Sequence, residues 1–318
     1  MYFPYLYGRQ YELLALRDVA TDLAGWNNIT PVIEPVVAKP GDLGRFLRRL
    51  QEVRTPLYLI VNPSQGEFET GVPDTWWEPI SEFVADTSLV YPTHQVISEA
   101  NAASLSEFLE RFEGRRVGVV LRQPYISAQS LAAQVADRDA IVFVHTSANP
   151  RTYLRELPAG KCVEVAASFN EQERNADYGA PEWFTSSHLE FANDGRPGFS
   201  DFGPLPRMFS FGGGRPGAVA IHLTYSDGDG SLWIHHFVSD TTDRDEGDAA
   251  SKIAEAVRKL EAEVESDPDK FVQTAGLQAY LANQVLGLPS NKRQQLIHHL
   301  ATVATSLGDV EQPATNLD

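Results

Sequence analysis

PLYLIVN (56–62), RVGVVLRQ (116–123) and DAIVFVHT (139–146) are nearly continuous apolar runs rich in β-branched residues. Strict alternation would mark a strand with one wet face, whereas an unbroken run marks a strand covered on both. Helices on one side and a barrel interior on the other supply that cover, and such sheets are parallel.

Working outward, comparable runs recur at YFPYLY (2–7), ITPVIEPV (29–36), SLVYPTHQVI (88–97) and KCVEVAAS (161–168), with starts about 22 to 32 residues apart. The gaps carry helical spacing, as in Leu13, Leu16, Ala20 and Leu23, then Phe46, Leu47 and Leu50. The fold class is therefore α/β, a TIM-barrel-like β/α repeat. After Ser168 the chain turns polar, and GFSDFG (198–203) is the segment left to close the ring, so irregularity is expected at the eighth strand.

Beyond it, AVAIHLTY (218–225) and SLWIHHFV (231–238) flank SDGDG and predict a β-hairpin. The glycine run 212–214 lacks both the GxGxxG spacing and a following helix, and reads as a hinge. Ile253, Val257, Leu260 and Val264 open a helical extension, continued by helical segments at 269–286 and 290–307. The expected organisation is a barrel-like domain over 1–240 including hairpin 218–238, a C-terminal helical extension over 248–308, and a disordered tail over 309–318.

The chain of 318 residues carries a formal charge of −17, which argues against a broad duplex nucleic-acid surface, because phosphate backbones demand clustered Lys and Arg. Arg45, Arg48, Arg49 and Arg54 share one predicted helix and read as a solvated face. No apolar run reaches the roughly 18 residues a membrane helix needs. The amino-terminal stretch lacks the basic and apolar regions of a secretory signal, and the single cysteine, Cys162, suits a reducing compartment, so a cytoplasmic location is expected.

YFPYLYGRQYELLALRDV, then ITPVIEPV and LYLIVNPSQGEF, resemble the opening of the Beta protein family, a bacterial and phage group. The pattern is carried by Pro4, Gly8-Arg9, Glu12-Leu13, Ala15-Leu16, Pro31 and Glu34, with GFSDFG, VAIHLTY and IHHFVSD further on. The resemblance implies a barrel-like fold and a place in phage defence or a related conflict system. It implies no established reaction.

In a β/α barrel the loops after the strands gather at one rim, so polar residues at strand carboxyl ends converge. Those ends offer Arg9, Glu34, Asn62, His94, Arg122, His145, Ser168 and Asp201. Each alone is ordinary, since Glu34 pairs as readily with Arg9 or Arg122 as it catalyses, and a lone histidine is more often packed than reactive. Taken together, Glu34, His94 and His145 are the acid–base candidates, and Arg9, Asn62, Arg122 and Asp201 the ligand-binding ones. Such a set favours an anionic ligand, such as a nucleotide or phosphodiester.

No HExxH, HxH or CxxC spacing occurs, so no metal site is expected; His235 and His236 face opposite ways on a strand, leaving one of them to meet His222. No GxxxxGK[ST] or GxSxG motif occurs either, and no cofactor is specified. The polar 170–200 segment, with Tyr178, Trp183 and His188, is long for a βα connection and is expected to cover the rim or meet a partner. Three functions compete: an anion-binding or partner-binding barrel, a phosphodiester or nucleotide hydrolase using Glu34 and a rim histidine, and a scaffold whose C-terminal helices bind a companion protein.

Overall fold

A computed structural model describes residues 1–210 and 214–309. Residues 212 and 213 of the expected glycine hinge, and all but the first residue of the expected tail, lie outside the described residues. Seven parallel strands follow in order: β1 (Tyr5–Leu6), β2 (Val32–Ile33), β3 (Leu57–Ile60), β4 (Val90–Val96), β5 (Val117–Leu121), β6 (Ala140–His145) and β7 (Cys162–Ala166). The next strand, β8 (Glu182–Thr185), leaves the ring, and β9 (Ser200–Asp201) takes the eighth place beside β7.

The ring is completed where Tyr2 bridges Phe199 in parallel, with Phe3 N donating to Phe199 O at 2.9 Å and Phe199 N to Met1 O at 3.0 Å. Ser200 Oγ adds a bond to Phe3 O at 2.6 Å. GFSDFG thus closes the barrel, through a strand of only two residues.

Helices α1 (Gln10–Asp18), α2 (Ala20–Trp26), α3 (Gly41–Val53), α4 (Asp74–Val84), α5 (Glu99–Ala103), α6 (Leu105–Arg111), α7 (Ala128–Val135) and α8 (Pro150–Glu156) fall between the strands. Side chains alternate across each strand, so one set fills the barrel and the other meets the helices. Inside, Phe143 stands edge-on to Phe3 at 5.3 Å and to Tyr58 at 5.1 Å. The interior is a packed core and not a pore.

Helix α9 (Ser187–Glu190) follows β8, and the predicted hairpin is β10 (Ala220–Ser226) with β11 (Leu232–Val238). Within the 170–200 segment, β8 turns to the small sheet and pairs antiparallel with the open edge of β11, from Leu232↔Thr185 to Ile234↔Glu182, while Glu171–Glu173 stay beside Arg207 and Met208. An unpaired strand edge needs partners, and Phe184, buried in the process, supplies apolar reason for the same move.

Helices α10 (Ala249–Ser266), α11 (Ala275–Leu281) and α12 (Leu288–Asp309) complete the described residues. Of the expected helical extension, α12 joins the barrel's outer layer, while α10 and α11 pack on β10 and β11. Leu296, Ile297, Leu300 and Val303 of α12 share one core with Leu13 and Leu16 of α1, Arg293 pairs with Asp18, and Asn28 Nδ2 donates to Ala304 O at 3.1 Å. Helix α12 therefore stands next to α1 in the outer ring, and its apolar face is filled by this chain.

A buried polar seam joins α12 to both sheets. Tyr2 OH donates to Asp201 Oδ1 at 2.6 Å and lies 2.9 Å from His299 Nε2, whose Nδ1 meets Thr224 Oγ1 at 2.8 Å; His298 Nε2 reaches Thr224 O at 2.8 Å. Burial pushes His298 down to about 4 and His299, with His298 beside it, to about 3, from an ordinary 6.5. Both are neutral in the fold, whereas the unfolded chain protonates them below pH 6.5. Stability present above that pH is lost as pH falls, and His298 alone accounts for up to about 3 kcal/mol.

Burial of Asp201, raised from 3.8 to about 6, works the other way, because the fold takes its proton first and gains stability between about pH 6 and 3.8. Two buried carboxyls, Asp201 and Glu12, are set against four histidines, with His145 and His222 also held well below 6.5 by burial. The melting temperature is expected to fall steadily between pH 7 and pH 4.5, and a flat profile there in scanning calorimetry would refute this account.

Candidate functional site

Strand parity decides which rim candidates meet. Glu34, just past β2, shares the inward face with Val32 and is fully buried. Tyr5 OH donates to its Oε2 at 2.6 Å, Gln65 Nε2 to its Oε1 at 3.0 Å, and Arg122 Nη2 to Oε2 as well. Arg122 Nη2 also reaches Tyr5 OH at 3.3 Å. Burial opposes the guanidinium charge, but Tyr5, Glu34 and Tyr7 outweigh it and hold the Arg122 pKa well above its ordinary value.

Gln65 reaches Glu34 because of its neighbour. Gly66 sits at φ +63°, and a Cβ there would meet Val36 O at 2.4 Å, so only glycine lets this loop lie against the end of β2. Behind Arg122, Ser147 Oγ donates to its carbonyl at 2.7 Å and fixes the backbone.

His145 ends β6 facing the same space, with its ring edge-on to Tyr5 at 5.0 Å and 5.7 Å from Phe202. Its Nε2 is buried and has no hydrogen-bond partner. Burial, then Arg122 and Arg207, press its pKa well below 6.5, so the imidazole is neutral at physiological pH. Together these groups border a cleft of about 460 Å³ whose polar lining includes Gln65, Arg122, His145, Ser147 and Arg207.

Four other candidates lie elsewhere. His94 faces outward from β4, its Nε2 2.9 Å from Asn101 O and its ring 5.1 Å from Phe108, which corrects its assignment to the rim. The inward residues of β4 are Tyr91, Thr93 and Gln95, and a change of one position in parity reverses the face. Asp201 also points outward, into the Tyr2–His299 seam.

Asn62 is inward but engaged: its amide donates to Gln95 O at 2.9 Å and accepts from Gln95 N at 2.8 Å, which ties the ends of β3 and β4. Arg9 stands 5.3 Å from the Tyr7 ring and 5.2 Å from that of Phe209, donating to Tyr11 OH at 2.6 Å; it does not line the cleft. Sequence reasoning missed Tyr5, Gln65 and Arg207. Tyr5 was findable, since it shares parity with Tyr7 on a strand whose rim end was already in view; Gln65 and Arg207 lie on loops and carry no periodic signal.

No family model matches the chain, and no curated protein or solved structure matches it. The resemblance to the Beta protein family therefore rests on the quoted residues alone. Among the described residues no helix is long and apolar enough to cross a membrane, and none of them form a group of three or more His, Cys, Asp or Glu placed to hold a metal ion.

Proposed function

We propose that the protein binds a small anionic ligand, a phosphate-bearing molecule of nucleotide size or less, in the cleft at the carboxyl rim of the barrel. The observation that carries this reading is the pairing of two guanidinium groups, Arg122 and Arg207, with an unpartnered neutral imidazole, His145, around one opening. At about 460 Å³ the cleft lies in the range of roughly 300–1,000 Å³ usual for small-molecule sites. Guanidinium forks suit phosphate and carboxylate oxygens, and a neutral imidazole adds a bond without a repelling charge.

Glu34 has both oxygens engaged and no exposed surface, so this reading gives it the task of holding Arg122 rather than a proton-transfer step. A hydrolase built on Glu34 would need that cluster to open first. The scaffold reading has no uncovered apolar face of α12 to support it, because that face packs on α1 and the barrel. The link to phage defence rests on the resemblance alone.

Isothermal titration of the full chain with inorganic phosphate and with adenosine monophosphate tests the proposal. Saturable binding of at least one is expected, weakened about tenfold or more by Arg207→Ala, an exposed residue whose side chain the fold does not need. Equal binding by wild type and variant, or none by either, would sink it.

A further inference from the structure

A second opening, of about 520 Å³, lies between the barrel, the small sheet and the start of α12. Its walls are largely apolar, with Phe169, Tyr178, Leu205 and Leu288 among them, and two basic groups line it: His222 of β10 and Lys292 of α12. It shares no lining residue with the rim cleft.

His222 ends a chain of three groups. Glu182 Oε1 lies 3.4 Å from His236 Nε2, and His236 Nδ1 lies 2.8 Å from His222 Nδ1. The register places the two histidines directly opposite across the hairpin. A hydrogen bond between two Nδ1 atoms requires a proton on one and a lone pair on the other. Where His222 donates at Nδ1 and a neutral His236 accepts, the Nε2 of His222 keeps a lone pair. Tyr178, with ring centroids 4.5 Å from His222 and 4.7 Å from His236, and Phe169, 5.0 Å from His222, clamp the rings in place.

Lys292 is the other half of the site. Its side chain is half-buried, its ammonium stands 5.5 Å from the Tyr11 ring, and it has no hydrogen bond or ion pair among the described residues. Burial, then Arg9, lowers its pKa, against opposition from Glu12 and Glu171, and both Lys292 and His222 line the same cleft. A half-buried ammonium with no acceptor is suited to a ligand anion. The carboxylates nearby are Glu12, buried and accepting from Arg9 N at 2.8 Å, and Glu171 and Glu173 on the exposed lip.

We propose that this cleft is a second ligand site, in which Lys292 takes the carboxylate of a small aromatic hydroxy acid, the apolar walls take its ring, and His222 Nε2 accepts a hydrogen bond from its hydroxyl. The proposal is independent of the rim reading.

The test uses the full chain with 4-hydroxyphenylacetate and phenylacetate as probes in isothermal titration. One saturable site is expected, with the hydroxylated probe bound more tightly. Lys292→Met should weaken both at least tenfold, His222→Phe should remove only the advantage of the hydroxyl, and Arg207→Ala should change neither. In wild type, nitrogen NMR of labelled histidine at pH 7.5 should find His222 Nε2 bearing no proton, a readout that no variant's folding can spoil. Absence of saturable binding, equal binding in Lys292→Met, or a proton on His222 Nε2 overturns the proposal.

Discussion

Arg122→Ala is expected to lower the stability of the barrel by about 3–5 kcal/mol, because it leaves the buried Glu34 carboxyl without its cation. The pair is not interchangeable with a surface ion pair: Glu34 has no exposed surface and Arg122 only 18% of its side chain. Glu34→Gln should cost less, since it removes the charge, and the double variant should recover part of the Arg122→Ala loss. Chemical denaturation of the four proteins measures the coupling. Additive losses would show that Arg122 stabilises the rim by packing alone. The same substitution should abolish anion binding at the rim cleft, so binding and stability are coupled at one residue.

Phe143→Ala is expected to cost about 3–5 kcal/mol, the usual range for emptying a large aromatic from a core. Phe143 is fully buried in the barrel, between Phe3 and Tyr58. If the barrel centre were a water-filled passage the loss would be small. Denaturant unfolding of the variant decides, and a loss below about 1 kcal/mol would contradict the packed-core description.

Much of the barrel was legible because strands covered on both faces cannot hide their composition. PLYLIVN, RVGVVL and DAIVFV contain β3, β5 and β6, and GFSDFG contains the closing strand. The strand at 182–185 was not legible, since it consists of Glu182, Trp183, Phe184 and Thr185 inside a polar stretch and acquires its role only from the free edge of β11. The candidate site divides the same way. Glu34, Arg122 and His145 were reachable from the rule that strand ends converge, and they do meet or face the same space. His94 and Asp201 satisfied that rule by position along the chain and failed it by parity.

The sequence by itself determined the β/α repeat, the hairpin and the address of the rim, because apolar run length and turn residues are local properties of the chain. Only the tertiary structure decided that Glu34 is enclosed by Tyr5, Gln65 and Arg122, that α12 completes the outer ring, and that Glu182, His236 and His222 form a chain beside Lys292. Each of those depends on which face a side chain takes and which distant element covers it. Burial sets the protonation of these groups, and burial is a property of the packed molecule.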